Sequence, residues 1–243
     1  IDNTMATPFL CQPIQYGADI VVHSTTKFLS GHGNAMGGAI VDSGTFDWGQ
    51  NDKYPSLAQP EEAYHGLNFY ESFGDLAYTT YGHAVGLRDL GPTMAPMNAY
   101  LTIMGIETLA LRMEKHVANA EVVANYLHNH DKVSWVSYAG LEDSKYFHLA
   151  KKYLPKGAGS VFTFGIKGGY GAGVEFVEKC QLLSHLANIG DTRSLVLHPA
   201  STTHRQLTET QRISAGAGDD VIRLSIGLET VEDIIADLEQ ALR

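Results

Sequence analysis

A short β-branched run, Ala18-Asp-Ile-Val-Val22, gives way to Ser24, Thr25 and Thr26, then to one lysine, Lys27, then to a glycine-rich stretch from Gly31 to Gly38. A second strand-like piece, Ala39-Ile-Val41, follows at once. Four to eight apolar residues bounded by turn signals read as a buried strand. The lysine therefore falls on a tight turn between two buried strands. It is either a surface lysine at a sheet edge or an amine held in a pocket. The hydroxyls of Ser24 and Thr26 flank it as short-range partners suited to a phosphate oxygen, which favours the pocket.

Near the start of the chain stands Asp2, in Ile1-Asp-Asn-Thr4. A carboxylate at a strand end, in the same sheet as a pocketed lysine, is the pair that pyridoxal 5'-phosphate chemistry uses. The lysine bonds to the cofactor and the acid keeps the pyridine nitrogen protonated, so that the ring accepts electrons. A carboxylate beside a cation stays ionised, which suits that task.

Asp-Asn-Thr followed by Gly-Ala-Asp-Ile-Val-Val-His-Ser-Thr-Thr-Lys-Phe-Leu-Ser-Gly-His-Gly resembles the core of the Cys/Met-metabolism family of pyridoxal phosphate enzymes. The resemblance implies that Lys27 carries the cofactor, that Ser24 and Thr26 contact its phosphate, and that Asp2 meets the pyridine nitrogen, with Thr4 a further contact. It implies the α/β fold type I architecture, with residues 1–100 the C-terminal part of the large cofactor domain. Residues 101–243 would be a linking helix and a small C-terminal domain. It also implies an N-terminal part preceding Asp2, which would bring the first strands, the glycine turn on the phosphate and the ring stacked on the pyridine. A homotetramer follows from the same likeness, while a chain with only two cysteines fits a reducing cytoplasm.

Composition limits the alternatives. Seventeen basic against 27 acidic residues give a net charge of −10, which argues against nucleic acid as the main partner. No apolar run is long enough to span a bilayer. Two cysteines, Cys11 and Cys180, make no disulfide framework and read as small buried hydrophobes. His116, His128 and His130 have no accompanying set with ligand spacing, so no metal is expected.

Along the chain, Asp47 to Glu71 has two prolines and little periodicity and reads as a long surface loop. Its Pro60-Glu-Glu-Ala-Tyr-His-Gly66 resembles an insertion of the O-acetylhomoserine sulfhydrylase branch. Tyr78 to Leu90 reads as helix, and Ala95 to Leu127 as one long helix with Gly105 inside it, where a kink or close packing is expected. Arg112, Glu114 and Lys115 fall on its solvated or domain-bridging face. The pattern then gives a strand over 133–138, helix over 141–154, strand over 160–165, helix over 172–183 and strand over 221–229. An amphipathic helix through Val231, Ile234, Ile235, Leu238 and Leu242 closes the chain.

Arg223 lies within an apolar strand and needs a partner, since a buried unpaired charge is costly. Either Glu229 pairs with it, or the α-carboxylate of an amino-acid substrate does, in a bidentate clamp. The resemblance favours the clamp and places Asn188 at the edge of the active site. Arg193 reads as structural or as part of the substrate mouth, and His198 and His204 as structural hydrogen-bonders. The implied reaction is γ-replacement on O-acetyl-L-homoserine with sulfide or a thiol. Cystathionine γ-synthase, a γ-lyase, or a non-catalytic assembly module are the alternatives.

Overall fold

β1 (Ile20–Ser24) pairs antiparallel with β2 (Gly38–Asp42), in a register running from Ile20 opposite Asp42 to Ser24 opposite Gly38. The computed structural model describes all residues 1–243. β1 starts two residues later than its sequence pattern, because Gly17, with φ 89°, turns the chain out of a short helix over Pro13–Tyr16 just before it. The first residues of the chain add to the other side of β1 in parallel. Val22 N–H donates to Ile1 O, and Asn3 N–H to Val22 O, both at 2.9 Å, which sets Asp2 opposite Val22.

The stretch 47–71 is not the open loop its lack of periodicity suggests. It folds into short helices at Pro55–Ala58, Glu62–Tyr64 and Phe69–Phe73, around a core of Trp48, Leu57, Phe69 and Ala77. Tyr54, Tyr64, Tyr70 and Tyr78 pack against it, and the Trp48 and Tyr78 rings stack 5.2 Å apart. Each short turn contributes one or two rings, so neither a 2.0 nor a 3.6 repeat emerges. The helical pattern over 78–90 is present as two adjoining helical segments, Ala77–Tyr81 and Gly82–Asp89.

The long helix is two helices. α1 (Pro96–Glu107) starts with proline, whose missing N–H is no loss in a first turn, and breaks at Thr108 before α2 (Leu109–His128). Close packing explains Gly105: a Cβ there would lie 2.4 Å from both Leu29 O and Ser30 O. The helix thus rests directly on the backbone just past Lys27. Glycine to alanine in an exposed helix stabilises by up to about 1 kcal/mol. Gly105→Ala should instead destabilise by about 1–3 kcal/mol through overpacking, read as a lower denaturant midpoint. A midpoint at or above that of the parent would contradict this contact.

A second, five-stranded mixed sheet follows, in the order β3-β4-β7-β6-β5. Its strands are β3 (Val133–Ser137), β4 (Val161–Ile166), β5 (Ser184–His185), β6 (Leu195–Leu197) and β7 (Val221–Ser225). Only β5 and β6 pair in parallel. α2, α3 (Gly169–Lys179) and α4 (Val231–Leu242) bury Val123, Leu127, Phe176, Ile234 and Leu238 against Phe162, Phe164, Ile222 and Leu224 of the strands. α4 buries the expected face.

Three elements are shorter than their patterns. Residues 141–146 form turns before a helix at Phe147–Tyr153. α3 stops at Lys179, after which the buried Asp237 carboxylate accepts the N–H groups of Gln181, Leu182 and Leu183 at 2.8, 2.9 and 3.0 Å. β7 stops at Ser225, and Glu229 lies beyond the strand. Arg112 is buried, not solvated, whereas Glu114 and Lys115 of the same turn are exposed. Cys11 and Cys180 are half-buried and unpaired.

Candidate active site

Lys27 sits in a single turn, Thr25–Leu29, at the end of β1, and its own ψ of −129° departs from the helical values around it. That twist turns the side chain inward. Its Nζ donates to Asn188 Oδ1 at 2.5 Å, and Arg223 Nη2 donates to the Asn188 carbonyl at 3.4 Å. Asn188 therefore touches both cations. Burial, and then the Arg223 charge, hold the Lys27 amine below the ordinary lysine value. The sign favours chemistry: the neutral amine, which is the nucleophilic and basic form, becomes available at lower pH.

The loop carrying Asn188 is fixed from both sides. Gly190 N–H donates to Ser225 Oγ at 3.0 Å, and Thr192 N–H to Gly31 O at 2.8 Å. Gly190 has φ +74°, and a Cβ there would lie 2.7 Å from Phe28 N, so only glycine lets this loop lie on the lysine turn. Arg193 is exposed and reaches back only to Asp191, at 3.6 Å. His198 hydrogen-bonds Ser201 and the Asp219 carbonyl, and His204 contacts Thr203; both act locally.

The Glu229 carboxylate is not the partner of Arg223. It accepts from Ser194 N–H at 2.6 Å and from the Ser194 hydroxyl at 2.8 Å. None of the chain's ion pairs includes Arg223, and the guanidinium is half-buried on β7. A half-buried guanidinium without a carboxylate suits an incoming anion.

Asp2 belongs to a second group. Its Oδ1 accepts Thr4 N–H at 2.9 Å, and Thr4 Oγ1 accepts Ser24 N–H at 2.8 Å. The hydrogen bonds from Thr4 hold the Asp2 carboxyl below the usual value, with the neighbouring His23 adding in the same direction. Side chains alternate along a strand, so Asp2, Val22 and Ser24 share one face of the small sheet. The Ser24 hydroxyl makes no hydrogen bond within the chain, whereas Thr26 Oγ1 accepts Gly37 N–H at 3.1 Å. Of the two hydroxyls expected on a phosphate, Ser24 is free and Thr26 is engaged.

Thr25 was missed by the sequence reading. Its hydroxyl is buried without a partner, and a Cβ on Gly37 would come within 2.8 Å of it. The run Ser-Thr-Thr draws attention to it, but only the fold tells the three hydroxyls apart. The histidines of α2 and just after it do not converge: His116 bonds the Ile226 carbonyl, His128 faces Asp143 and His130 faces Glu239. No group of three His, Cys, Asp or Glu side chains in the chain is placed to hold a metal.

An inward amine at Lys27, an ionised Asp2 at the end of a neighbouring strand, a free Ser24 hydroxyl and the orphaned Thr25 hydroxyl beside a glycine fit pyridoxal phosphate. They supply an amine for its aldehyde, an anion for its ring nitrogen and small donors for its phosphate.

The model of the family described as "Cys/Met metabolism PLP-dependent enzyme" matches residues 1–243. The chain is 49% identical over 252 residues to O-acetyl-L-homoserine sulfhydrylase of Leptospira meyeri, and 50% identical over 244 residues to homocysteine synthase of Schizosaccharomyces pombe. All of this chain is covered in both matches, but it spans only 57% of the length of either relative. Among solved structures it is similar to one assigned as an O-acetylhomoserine (thiol)-lyase from Campylobacter jejuni, with a TM-score of 0.94 and 44% identity. That match covers 99% of this chain and 57% of the other, which carries N'-pyridoxyl-lysine-5'-monophosphate at position 205. Cystathionine gamma synthase of Xanthomonas oryzae, solved with aminoacrylate and cysteine, matches at a TM-score of 0.77 and 34% identity, covering 99% of this chain and 54% of that one. With the motif, the geometry around Lys27 and a family match along its whole length in agreement, the chain belongs to the Cys/Met-metabolism family of pyridoxal-phosphate-dependent enzymes.

Proposed function

We propose that this chain is the larger part of an enzyme that replaces the γ-acetoxy group of O-acetyl-L-homoserine by sulfide or a thiol. The products are L-homocysteine or L-methionine, with acetate. The observation that carries the reading is the Lys27–Asn188–Arg223 connection, which puts a base within reach of a carboxylate clamp. Relatives named as O-acetyl-L-homoserine sulfhydrylase, at 45% and 49% identity, and as homocysteine synthase, at 50%, support this choice of substrate, against 34% for the cystathionine gamma synthase structure.

Lys27 and Asp2 would hold pyridoxal phosphate at its aldehyde and its ring nitrogen; with the substrate's amine taking the place of Lys27, the group would supply an electron sink for a carbanion at the substrate Cα and leave the lysine amine free. Arg223 takes the substrate α-carboxylate in a bidentate pair and fixes which Cα bond faces the lysine. The Lys27 amine, its pKa lowered by burial and then by the Arg223 charge, takes the Cα proton and relays protons at Cβ. Acetate leaves Cγ with its bonding electrons, and the sulfur nucleophile forms the new bond there. Lys27 then returns a proton to Cα. Asn188 Oδ1 holds the amine between these positions. Ser24, Thr26 and Thr4 serve the phosphate end, Thr4 by holding Asp2 and Ser24 together.

Residues 1–100 belong, in this reading, to the cofactor domain and residues 101–243 to the linking helices and the small domain. The portion of the relatives that this chain does not span would act as its N-terminal partner, in a cytoplasmic homotetramer. No helix is long and apolar enough to cross a membrane.

The deciding assay supplies O-acetylhomoserine to the full-length, cofactor-loaded protein, with sulfide in one arm and cysteine in the other. Homocysteine and acetate in the sulfide arm are expected. Cystathionine from the cysteine arm alone would move the assignment to cystathionine γ-synthase. Consumption of neither would overturn the reading.

A further inference from the structure

α2 carries a buried polar stripe that the reaction scheme does not use. Arg112, His116 and Asn119 stand at i, i+4 and i+7, on one side of the helix, and are 6, 0 and 2% exposed. Polar side chains so deep need partners, and each of these finds backbone carbonyls on another segment. Arg112 Nη1 donates to Phe28 O at 2.8 Å and Nη2 to Gly105 O at 2.6 Å, while Nε reaches Thr108 Oγ1 at 3.2 Å. His116 Nδ1 lies 2.6 Å from Ile226 O and must be the donor, since a carbonyl only accepts. Burial pushes this imidazole down to about 4, so it is neutral. Asn119 Nδ2 donates to Gly227 O at 3.0 Å and to Glu229 O at 2.9 Å.

The carbonyls fall into two groups with a shared meaning. Phe28 follows Lys27 directly. Ile226, Gly227 and Glu229 follow β7, the strand that bears Arg223. We propose that Arg112, His116 and Asn119 act together as the spacer that sets Lys27 against Arg223, with Arg112 the positioning residue for the Lys27 amine. This rests on the assignment of Lys27 and Arg223 made above.

Two further observations favour it. Arg112 pairs with no carboxylate, and a buried guanidinium without a counter-ion costs more than an apolar side chain of similar size. What it adds is direction: a planar fork with several donors fixes the orientation of the peptide it grips, which a methylene chain does not. The approach is also cleared by glycine: a Cβ on Gly31 would lie 2.4 Å from Arg112 Nη1, and Gly105, whose carbonyl the fork grips, lets its helix rest on the backbone of Leu29 and Ser30. Because Lys27 departs from helical ψ, release of the Phe28 carbonyl would let the turn relax and swing the amine away from Asn188.

The test uses the full-length, cofactor-loaded protein with Arg112→Lys, which keeps the charge and removes the fork. Val123→Ala, a core truncation about three turns further along α2, is the control for plain loss of packing. Three quantities are read: kcat per bound cofactor, KM for O-acetylhomoserine, and the pH midpoint of the bound cofactor's visible absorbance. Arg112→Lys should lower kcat at least tenfold, leave KM within threefold and move the spectroscopic midpoint by more than half a pH unit. Val123→Ala should lower the melting temperature and move none of the three. If Arg112→Lys does not fold, Thr108→Val removes the acceptor of Nε, together with the Thr108 hydroxyl's own bond to the Gly105 carbonyl, and should show the same pattern at about threefold. Unchanged kcat and midpoint in the arginine or threonine variant, or equal changes in the control, would overturn the spacer. A parent protein without any Lys27-dependent absorbance would instead overturn the assignment beneath it.

Discussion

Lys27→Ala in the full-length protein is expected to abolish the visible absorbance of covalently held cofactor and to lower turnover by at least about 10³-fold, since a positioned acid–base group contributes roughly 10²–10⁴. The expectation follows from what the amine already does. It points inward onto Asn188, its pKa is lowered by burial and by Arg223, and it sits in a turn whose backbone is twisted at that residue. Removing it leaves the Asn188 amide without its partner but disturbs no main-chain hydrogen bond, so the variant should fold. Added small amines should restore part of the activity if proton transfer is what is lost. A variant that stays yellow and turns over at close to the parent rate would refute the assignment.

Arg223→Leu is the second large effect, and it should have opposite signs in two measurements. Hydrogen bonds to charged groups are worth about 1.5–3 kcal/mol each, so loss of a bidentate carboxylate clamp should lower kcat/KM by roughly 10²-fold or more, mainly through KM. Stability should hold or rise, because the guanidinium has no carboxylate partner in the chain and its burial is offset only by the 3.4 Å bond to the Asn188 carbonyl. Had Arg223 been paired with Glu229, the same change would strand a buried carboxylate and lower the melting temperature. A drop in melting temperature with KM unchanged would therefore show the arginine to be structural.

Much of this was legible in the sequence because the lysine motif is local. Strand, hydroxyls, lysine and glycines lie within one stretch, and Asp2 pairs beside Val22 as its place at a strand end implies. Residues that depend on distant partners were less legible. Arg112 reads, with its neighbours Glu114 and Lys115, as part of a solvated or domain-bridging face, and only the fold separates the three by showing the carbonyls of Phe28 and Gly105 above Arg112. Glu229 was a candidate partner for Arg223 until Ser194, in a separate loop, proved to hold it. A regular helical period does not reveal the break at Thr108, since the residues on both sides favour helix equally well. The aromatic residues between 46 and 81 were hidden for the opposite reason, having no period at all.

Those rings have a practical meaning for anyone altering the protein. Phe46, Trp48, Tyr54, Phe69 and Tyr78 close on one another, giving this excursion an interior of its own. Apart from Ile20, every side chain of this cluster comes from residues 46–84, so the shape of the excursion rests mainly on its own rings. Trp48, one of only two indoles in the chain, provides a built-in fluorescent reporter of whether that shape is kept when the stretch is altered.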